Sequence, residues 1–188
     1  MPTKLLMRAE SQLFTAWIGL GSNLGDRAQT LRSAVGELRE AGTVVSMSSL
    51  WETAPVGMTD QPAFLNAAAA LRTNFSPQDL MQRLLEIEVR HGRDRRHSVA
   101  KGPRTLDLDL LLVESRDGGA VVSTEPGLRL PHPEMHARRF VLAPLAEIAA
   151  DVEHPISKRS VAEMLTDLPA GGANDPVAVT IYGKPPDS

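Results

Sequence analysis

Two aspartates stand two residues apart in Arg104-Thr105-Leu106-Asp107-Leu108-Asp109-Leu110-Leu111-Leu112. The apolar run from Leu106 to Val113 reads as a buried strand, and alternate side chains of a strand share a face. Asp107 and Asp109 then project together, with Leu106, Leu108 and Leu110 on the opposite side. Adjacent carboxylates among leucines repel each other and are poorly solvated, so the pair calls for a cation. Hard divalent ions with oxygen ligands suit it, and magnesium commonly arrives with a nucleotide's phosphates. The alternative is a strand end whose acids meet solvent or neighbouring arginines.

Such arginines precede it. Arg90, Arg93, Arg95, Arg96, Lys101 and Arg104 are opposed only by Asp94 and follow no helical period, which reads as a mobile cationic loop. Guanidinium forks beside a two-carboxylate metal site suit a polyphosphate held from both sides. A solvated basic loop, or arginines that simply neutralise Asp107 and Asp109, is the plainer alternative. A nucleic-acid groove is disfavoured, because no aromatic residues interleave the charges. Together the two features point to phosphoryl or nucleotidyl transfer.

Other segments offer less on their own. Gly19-Leu20-Gly21-Ser22-Asn23-Leu24-Gly25-Asp26 lacks the ending of a P-loop and the spacing of a dinucleotide fingerprint; a strand-to-helix turn capped by Asp26 explains it at least as well. Aromatics make up only 4% of the chain, so Phe64 and Phe140 would clamp a flat heterocycle if they met. Asn66 carries both a donor and an acceptor for an amide-like ring edge. Core packing remains the simpler role for each phenylalanine alone, and Thr53 reads equally as a strand-end residue. His132 and His136 flank Glu134 without forming the zinc-binding His-Glu-x-x-His pattern, and Pro131 and Pro133 break any helix through His132. His132 and Arg138 read as phosphate contacts, and His136 as surface.

The elements that must position these groups follow from periodicity. Strands are expected from Leu13, over Thr43 to Leu50 and over Leu106 to Val113, with a loop over 51–63; Phe64 to Thr73 alternates as a strand, the favoured reading, though Ala67 to Ala70 also suit a helix. Helices are expected after Asp26, after Ser76-Pro77, from about Arg138 to Ala149, and after the capping box of Ser160 and Glu163. Strand, helix, strand, strand, helix, strand is the order of an α+β, ferredoxin-like βαββαβ core, here with additional C-terminal helices. Residues 1–12 read as a loose extension, 13–169 as one domain, and 170–188 as a Gly/Pro-rich tail with a possible edge strand over Val177 to Tyr182.

With 188 residues, 42% hydrophobic content and a net charge of −3, the bulk of the chain is globular and not disordered. The mild acidity argues against bulk nucleic-acid binding. No apolar run approaches the ~20 residues of a bilayer crossing. Cysteine is absent, which excludes disulfides, thiolate zinc and a cysteine nucleophile. A cytoplasmic protein is expected.

The chain carries, in order from about Ala16 to at least His154, Gly-Ser-Asn-Leu-Gly-Asp, Asp-Gln-Pro-Ala-Phe-Leu-Asn-Ala-Ala, Gly-Pro-Arg-Thr-Leu-Asp-Leu-Asp, Leu-Pro-His-Pro-Glu-Met-His and Phe-Val-Leu-Ala-Pro-Leu. Taken together, these motifs resemble the 6-hydroxymethyl-7,8-dihydropterin pyrophosphokinase family. The resemblance implies transfer of the β,γ-pyrophosphoryl unit of ATP to the pterin's hydroxymethyl oxygen, releasing AMP, in folate biosynthesis. It implies two magnesium ions on Asp107 and Asp109, and charge stabilisation by Arg93 and Arg104 as the 92–103 loop closes over ATP. Glu88, Leu110, His132 and Arg138 fall at nucleotide-site positions. Thr53, Val56, Phe64, Asn66 and Phe140 match the pterin pocket. The implied partners are the two small-molecule substrates, without nucleic acid or membrane, and the expected state is a monomer. Lys101 stands where some relatives place an aromatic, and Leu85 where some carry a polar nucleotide contact.

Two rivals make different predictions. A nucleotidyltransferase with a Gly-Ser turn and an Asp-x-Asp strand would release pyrophosphate, but Ser22 and Asp107 are too far apart for its usual spacing. A non-catalytic nucleotide-binding module would bind ATP without turnover, and leaves the aromatic and asparagine residues unexplained.

Overall fold

Three helices begin at residues whose side chains accept the orphan N–H groups of a first turn. Asp26 accepts from the Gln29 N–H (3.0 Å) and opens α1 (Arg27–Leu38). Ser76 accepts from the Asp79 N–H (3.1 Å), with Pro77 at the first helical position of α2 (Pro77–Arg90). Ser160 and Glu163 cap each other's backbone in a full capping box at α4 (Val161–Asp167). The remaining helix, α3 (Arg139–Ala149), is apolar along most of its length and buries Val141 to Leu145. These elements belong to a computed structural model that describes residues 13–55, 60–93 and 102–169, and the backbone of 180–181. Val56 and the cations Arg95, Arg96 and Lys101 lie outside the described residues.

The strands are β1 (Phe14–Ser22), β2 (Thr43–Met47), β3 (Trp51–Thr53), β4 (Phe64–Thr73), β5 (Asp107–Ser115), β6 (Ser123–Glu125), β7 (Leu128–Leu130) and β8 (Thr180–Ile181). Among the described residues the main sheet runs β5-β1-β4-β3-β8, with β2 also paired to β4, and every pairing is antiparallel. The structure is thus a mixed helix-and-sheet fold built on an antiparallel sheet.

One face of the sheet packs Ile18, Leu20, Leu65, Leu71, Leu108 and Leu110 against Leu31 and Leu38 of α1 and Leu80, Leu84 and Ile87 of α2. The other packs Trp17, Ala68, Ala70, Leu111 and Leu112 against Leu142 and Leu145 of α3 and Met164 of α4. Small alanines on β4 let α3 approach closely there. Burying each such leucine contributes about 1.5–3 kcal/mol. Between Trp17 and Ile18 the β1–β5 register slips by one residue, because Leu111 is an extra residue in β5. Leu111 and Leu112 therefore both face α3.

Two expectations need correction. The strand expected over Thr43 to Leu50 is interrupted, and Trp51–Thr53, expected in a loop, resumes pairing with β4. Ser48 causes the break. Its N–H donates to the Ala68 carbonyl (2.9 Å), but its hydroxyl, not a carbonyl, accepts from the Ala68 N–H (2.8 Å). The β6–β7 hairpin was not expected; it turns through Gly127 at φ +83°, a backbone conformation that favours glycine.

Gly42, four residues beyond the end of α1, has a steric role at the entry to β2. A Cβ there would lie 2.3 Å from the Arg72 carbonyl oxygen and 3.1 Å from Thr73 Cβ. Gly42→Ala must push β2 away from β4, and we expect a loss of about 2–4 kcal/mol in urea unfolding. Unchanged stability would show that the edge accommodates the methyl group without cost.

Candidate active site

Strand register assembles the candidate site. Gly21 lies between Asn66 of β4 and Asp107 of β5, and Gly19 lies between Ala68 and Asp109. All six positions share the α3 side of the sheet. A Cβ on Gly21 would come 3.1 Å from Asn66 Oδ1 and 3.8 Å from Asp107 Cβ. The Gly-x-Gly of β1 is therefore a floor between the amide and the carboxylates, and the turn that follows is the helix entry capped by Asp26.

Asp107 is held between two guanidinium groups. Arg93 Nη1 donates to its Oδ1, and Arg104 Nη1 lies 2.8 Å from its Oδ2. Arg93 also donates to the Leu106 carbonyl (3.0 Å) and to Glu88 Oε1 (3.0 Å). Glu88 is buried beneath the sheet on α2, and its Oε1 accepts from the Leu108 N–H as well (2.8 Å). Burial works against the charge on Arg93, but Asp107, Glu88 and Asp109 hold its proton more tightly than usual.

Asp109 has weaker company. Burial first, and the Asp107 charge second, raise its pKa above the ordinary carboxylate value. His132 Nε2 stands 3.9 Å from its Oδ1. Nδ1 of His132 accepts from the Glu134 N–H (3.2 Å), which places the neutral ring's proton on Nε2, toward Asp109. The His132 N–H itself donates to the Leu111 carbonyl (2.9 Å), just after the cis Leu130–Pro131 bond. Burial lowers the pKa of His132, and the carboxylates oppose this only in part.

The second half of the site is less charged. Buried Asn66 donates through Nδ2 to Thr53 Oγ1 (2.7 Å), so Thr53 fixes the orientation of the amide. Arg104 lies over the Phe64 ring, with Cζ 5.4 Å from its centroid, and Arg138 lies over Phe140 at 5.7 Å. Arg138 also pairs with Glu134. Phe140 stands on the first turn of α3, which packs across β4, the strand of Phe64 and Asn66. Glu147 anchors α3 there by accepting from the Ser49 N–H and Trp51 Nε1, both at 2.7 Å.

Two residues singled out in the sequence direct their side chains away from the carboxylates. Arg90 projects from α2 toward α1, where it pairs with Glu37 (2.6 Å), so the helical period continues through it and it is no part of the cationic cluster. The Leu110 side chain is buried in the core on the α1–α2 side, opposite the carboxylates. Conversely, sequence reasoning passed over Asn23. It is 1% exposed and bonded to both Arg104 and the 61–62 segment. Its only signal was its place in Gly-Ser-Asn-Leu-Gly-Asp.

A carboxylate pair with arginines on it, beside an amide over a glycine floor and two arginine-covered phenylalanines, is a set of groups suited to enzymes that move a phosphate-bearing group onto a flat acceptor. Comparison with known proteins makes this specific. The 7,8-dihydro-6-hydroxymethylpterin-pyrophosphokinase (HPPK) family model matches residues 17–150. A 2-amino-4-hydroxy-6-hydroxymethyldihydropteridine pyrophosphokinase of Bacillus subtilis is 48% identical over 140 residues, covering 73% of this chain and 80% of its own. One from Methylorubrum extorquens is 44% identical over 159 residues, covering 84% and 95%. In fold, the chain is similar to wild-type Plasmodium falciparum HPPK-DHPS, with a TM-score of 0.62 and 13% identity over 84% of this chain. It spans 45% of that longer protein. The chain belongs to the HPPK family.

Proposed function

We propose that this chain transfers the pyrophosphoryl group of ATP to the hydroxymethyl oxygen of 6-hydroxymethyl-7,8-dihydropterin, a step of folate biosynthesis, releasing AMP. The observation that carries the reading is the Asp107–Asp109 pair, with Arg93 and Arg104 on it and Asn66 beside it across Gly21. Membership of the family supports the choice of substrates.

The donor set fits magnesium. Among the described residues no cluster of three or more His, Cys, Asp or Glu side chains is arranged to hold a metal. Two aspartates alone suit an ion that completes its shell with phosphate oxygens and water, and two such ions would be held by Asp107 and Asp109. Burial first, and the Asp107 charge second, raise the pKa of Asp109, and a cation bound between the two carboxylates would oppose both. When bound, magnesium supplies Lewis-acid polarisation of the phosphates and neutralises charge developing on them.

The protein's own groups do the rest by positioning. Arg93 and Arg104 occupy Asp107 here and exchange it for phosphate oxygens when the nucleotide enters. Glu88 keeps Arg93 aimed at the site through this exchange. His132 and Arg138 offer N–H donors on the nucleotide side. Thr53 and Asn66 read the pterin's amide edge, and Phe64 and Phe140 cover its faces. The hydroxymethyl oxygen forms a bond to the β-phosphorus as the bond from that phosphorus to the α,β-bridging oxygen breaks; AMP leaves with that oxygen, and the hydroxyl proton passes to solvent. No covalent enzyme intermediate is required, so rate enhancement comes from alignment and electrostatics.

The architecture agrees with a ferredoxin-like core: β1-α1-β2/β3-β4-α2-β5 with the sheet order β5-β1-β4-β2/β3 supports it. Residues 13–169 then form the catalytic domain, acting as a monomer in the cytoplasm. Among the described residues no helix is long and apolar enough to cross a membrane.

The test is product analysis with ATP, magnesium and the dihydropterin. AMP formed only when the pterin is present supports the reading. ADP, free pyrophosphate, or binding without turnover would overturn it.

A further inference from the structure

Asn23 joins the two halves of the site. Its backbone N–H donates to the Arg104 carbonyl (3.1 Å), and its Oδ1 accepts from the Arg104 N–H (2.7 Å). The main chain of Arg104 is therefore held in both directions by one residue. Because Oδ1 is committed to an N–H, Nδ2 must point the other way, where it donates to Gln61 Oε1 (3.0 Å) and to the Pro62 carbonyl (3.1 Å). Those two residues lead directly into Phe64 and Asn66 of β4. The amide is 1% exposed, so water does not compete for these bonds.

Arg104 needs such a hold. Residues 102–104 belong to no helix or strand, and the Arg104 guanidinium must reach Asp107 while it lies over Phe64. A shift of its backbone moves both contacts together. We propose that Asn23 is a positioning residue for pyrophosphoryl transfer: it sets Arg104 against Asp107 on one side and the Phe64–Asn66 strand entry on the other. One side chain thereby registers the phosphate-handling groups against the acceptor pocket. The proposal rests on the roles given above to Arg104, Phe64 and Asn66.

Steady-state kinetics of Asn23→Ala, Arg104→Ala and the double variant, with both substrates varied, test it. Asn23→Ala is expected to lower kcat about 100-fold, the scale of an ångström-sized misplacement of a catalytic group. In the double variant kcat should fall no further than in Arg104→Ala alone, because Asn23 acts on the transfer step through Arg104, while the pterin KM carries the added loss of the Gln61 and Pro62 contacts. Multiplying kcat losses would overturn the proposal while leaving the role of Arg104 intact. If Arg104→Ala itself retains full activity, the reading of the site fails and the proposal with it.

Asn23→Asp guards against a folding defect. It keeps the acceptor for Arg104 but sets a carboxylate oxygen against the Pro62 carbonyl. The pterin KM should rise about 10-fold or more, the cost of losing both Nδ2 hydrogen bonds, with the ATP KM unchanged. Equal movement of both KM values, or of neither, would overturn the proposal. Thermal unfolding of each variant shows which are folded under assay.

Discussion

Asp107→Ala is expected to reduce kcat by about three orders of magnitude or more, equivalent to roughly 4 kcal/mol of transition-state stabilisation. The carboxylate lies on the site face of β5, next to Gly21, and takes a guanidinium on each oxygen. Its removal leaves Arg93 with Glu88 and the Leu106 carbonyl, so the local fold has other anchors. What is lost is one of two proposed magnesium ligands. Metal-dependent ATP binding, followed by calorimetry with and without magnesium, should weaken in parallel. Asp107→Asn provides the control for shape: it keeps the volume and loses the charge, and should be nearly as impaired. Normal turnover in either variant would remove the metal assignment.

Arg104→Ala is the second large effect, with kcat expected to fall about 100- to 1000-fold, the range for removing a preorganised donor from a transition state. The side chain contacts Asp107 at 2.8 Å and lies over Phe64, so the truncation also disturbs the acceptor pocket. Arg104→Lys should recover little, since an ammonium lacks the planar fork that grips phosphate oxygens and stacks on a ring. Single-turnover rates with the ternary complex preformed separate this from weakened binding. A lysine variant close to the parent rate would reduce Arg104 to a point charge.

The carboxylate pair was legible in the sequence because the two-residue period of a strand is short-range information, and both aspartates lie on the α3 side as that period requires. The caps at Asp26, Ser76 and Ser160 were legible for the same reason. What the period could not show was which neighbours the strand would have. Gly21 became part of the site only through its register with Asn66 and Asp107, some 45 and 86 residues away in sequence. Asn23 was hidden in the same way: its partners lie in two distant loops. Arg90 was misread because charge was counted along the chain, while the helix that carries it turns it toward α1. The broken strand at Ser48 escaped notice because a hydroxyl can take the place of a carbonyl in a ladder without changing the apolar pattern.

The slipped register of β5 has an electrical consequence. Strict alternation would give α3 every second side chain of that strand, but the extra residue gives it Leu111 and Leu112 in succession. Leu111 also reaches over Gly19, 3.4 Å from where a Cβ would stand, directly beyond Asp109. The pair forms a hydrocarbon wall between the carboxylates and α3. Charges next to such a wall are poorly screened, so attraction between phosphate and cation there is several times what it would be in open water. One additional leucine in a nine-residue strand thus sets hydrocarbon beside Asp109, where a charge is less well screened than in open water.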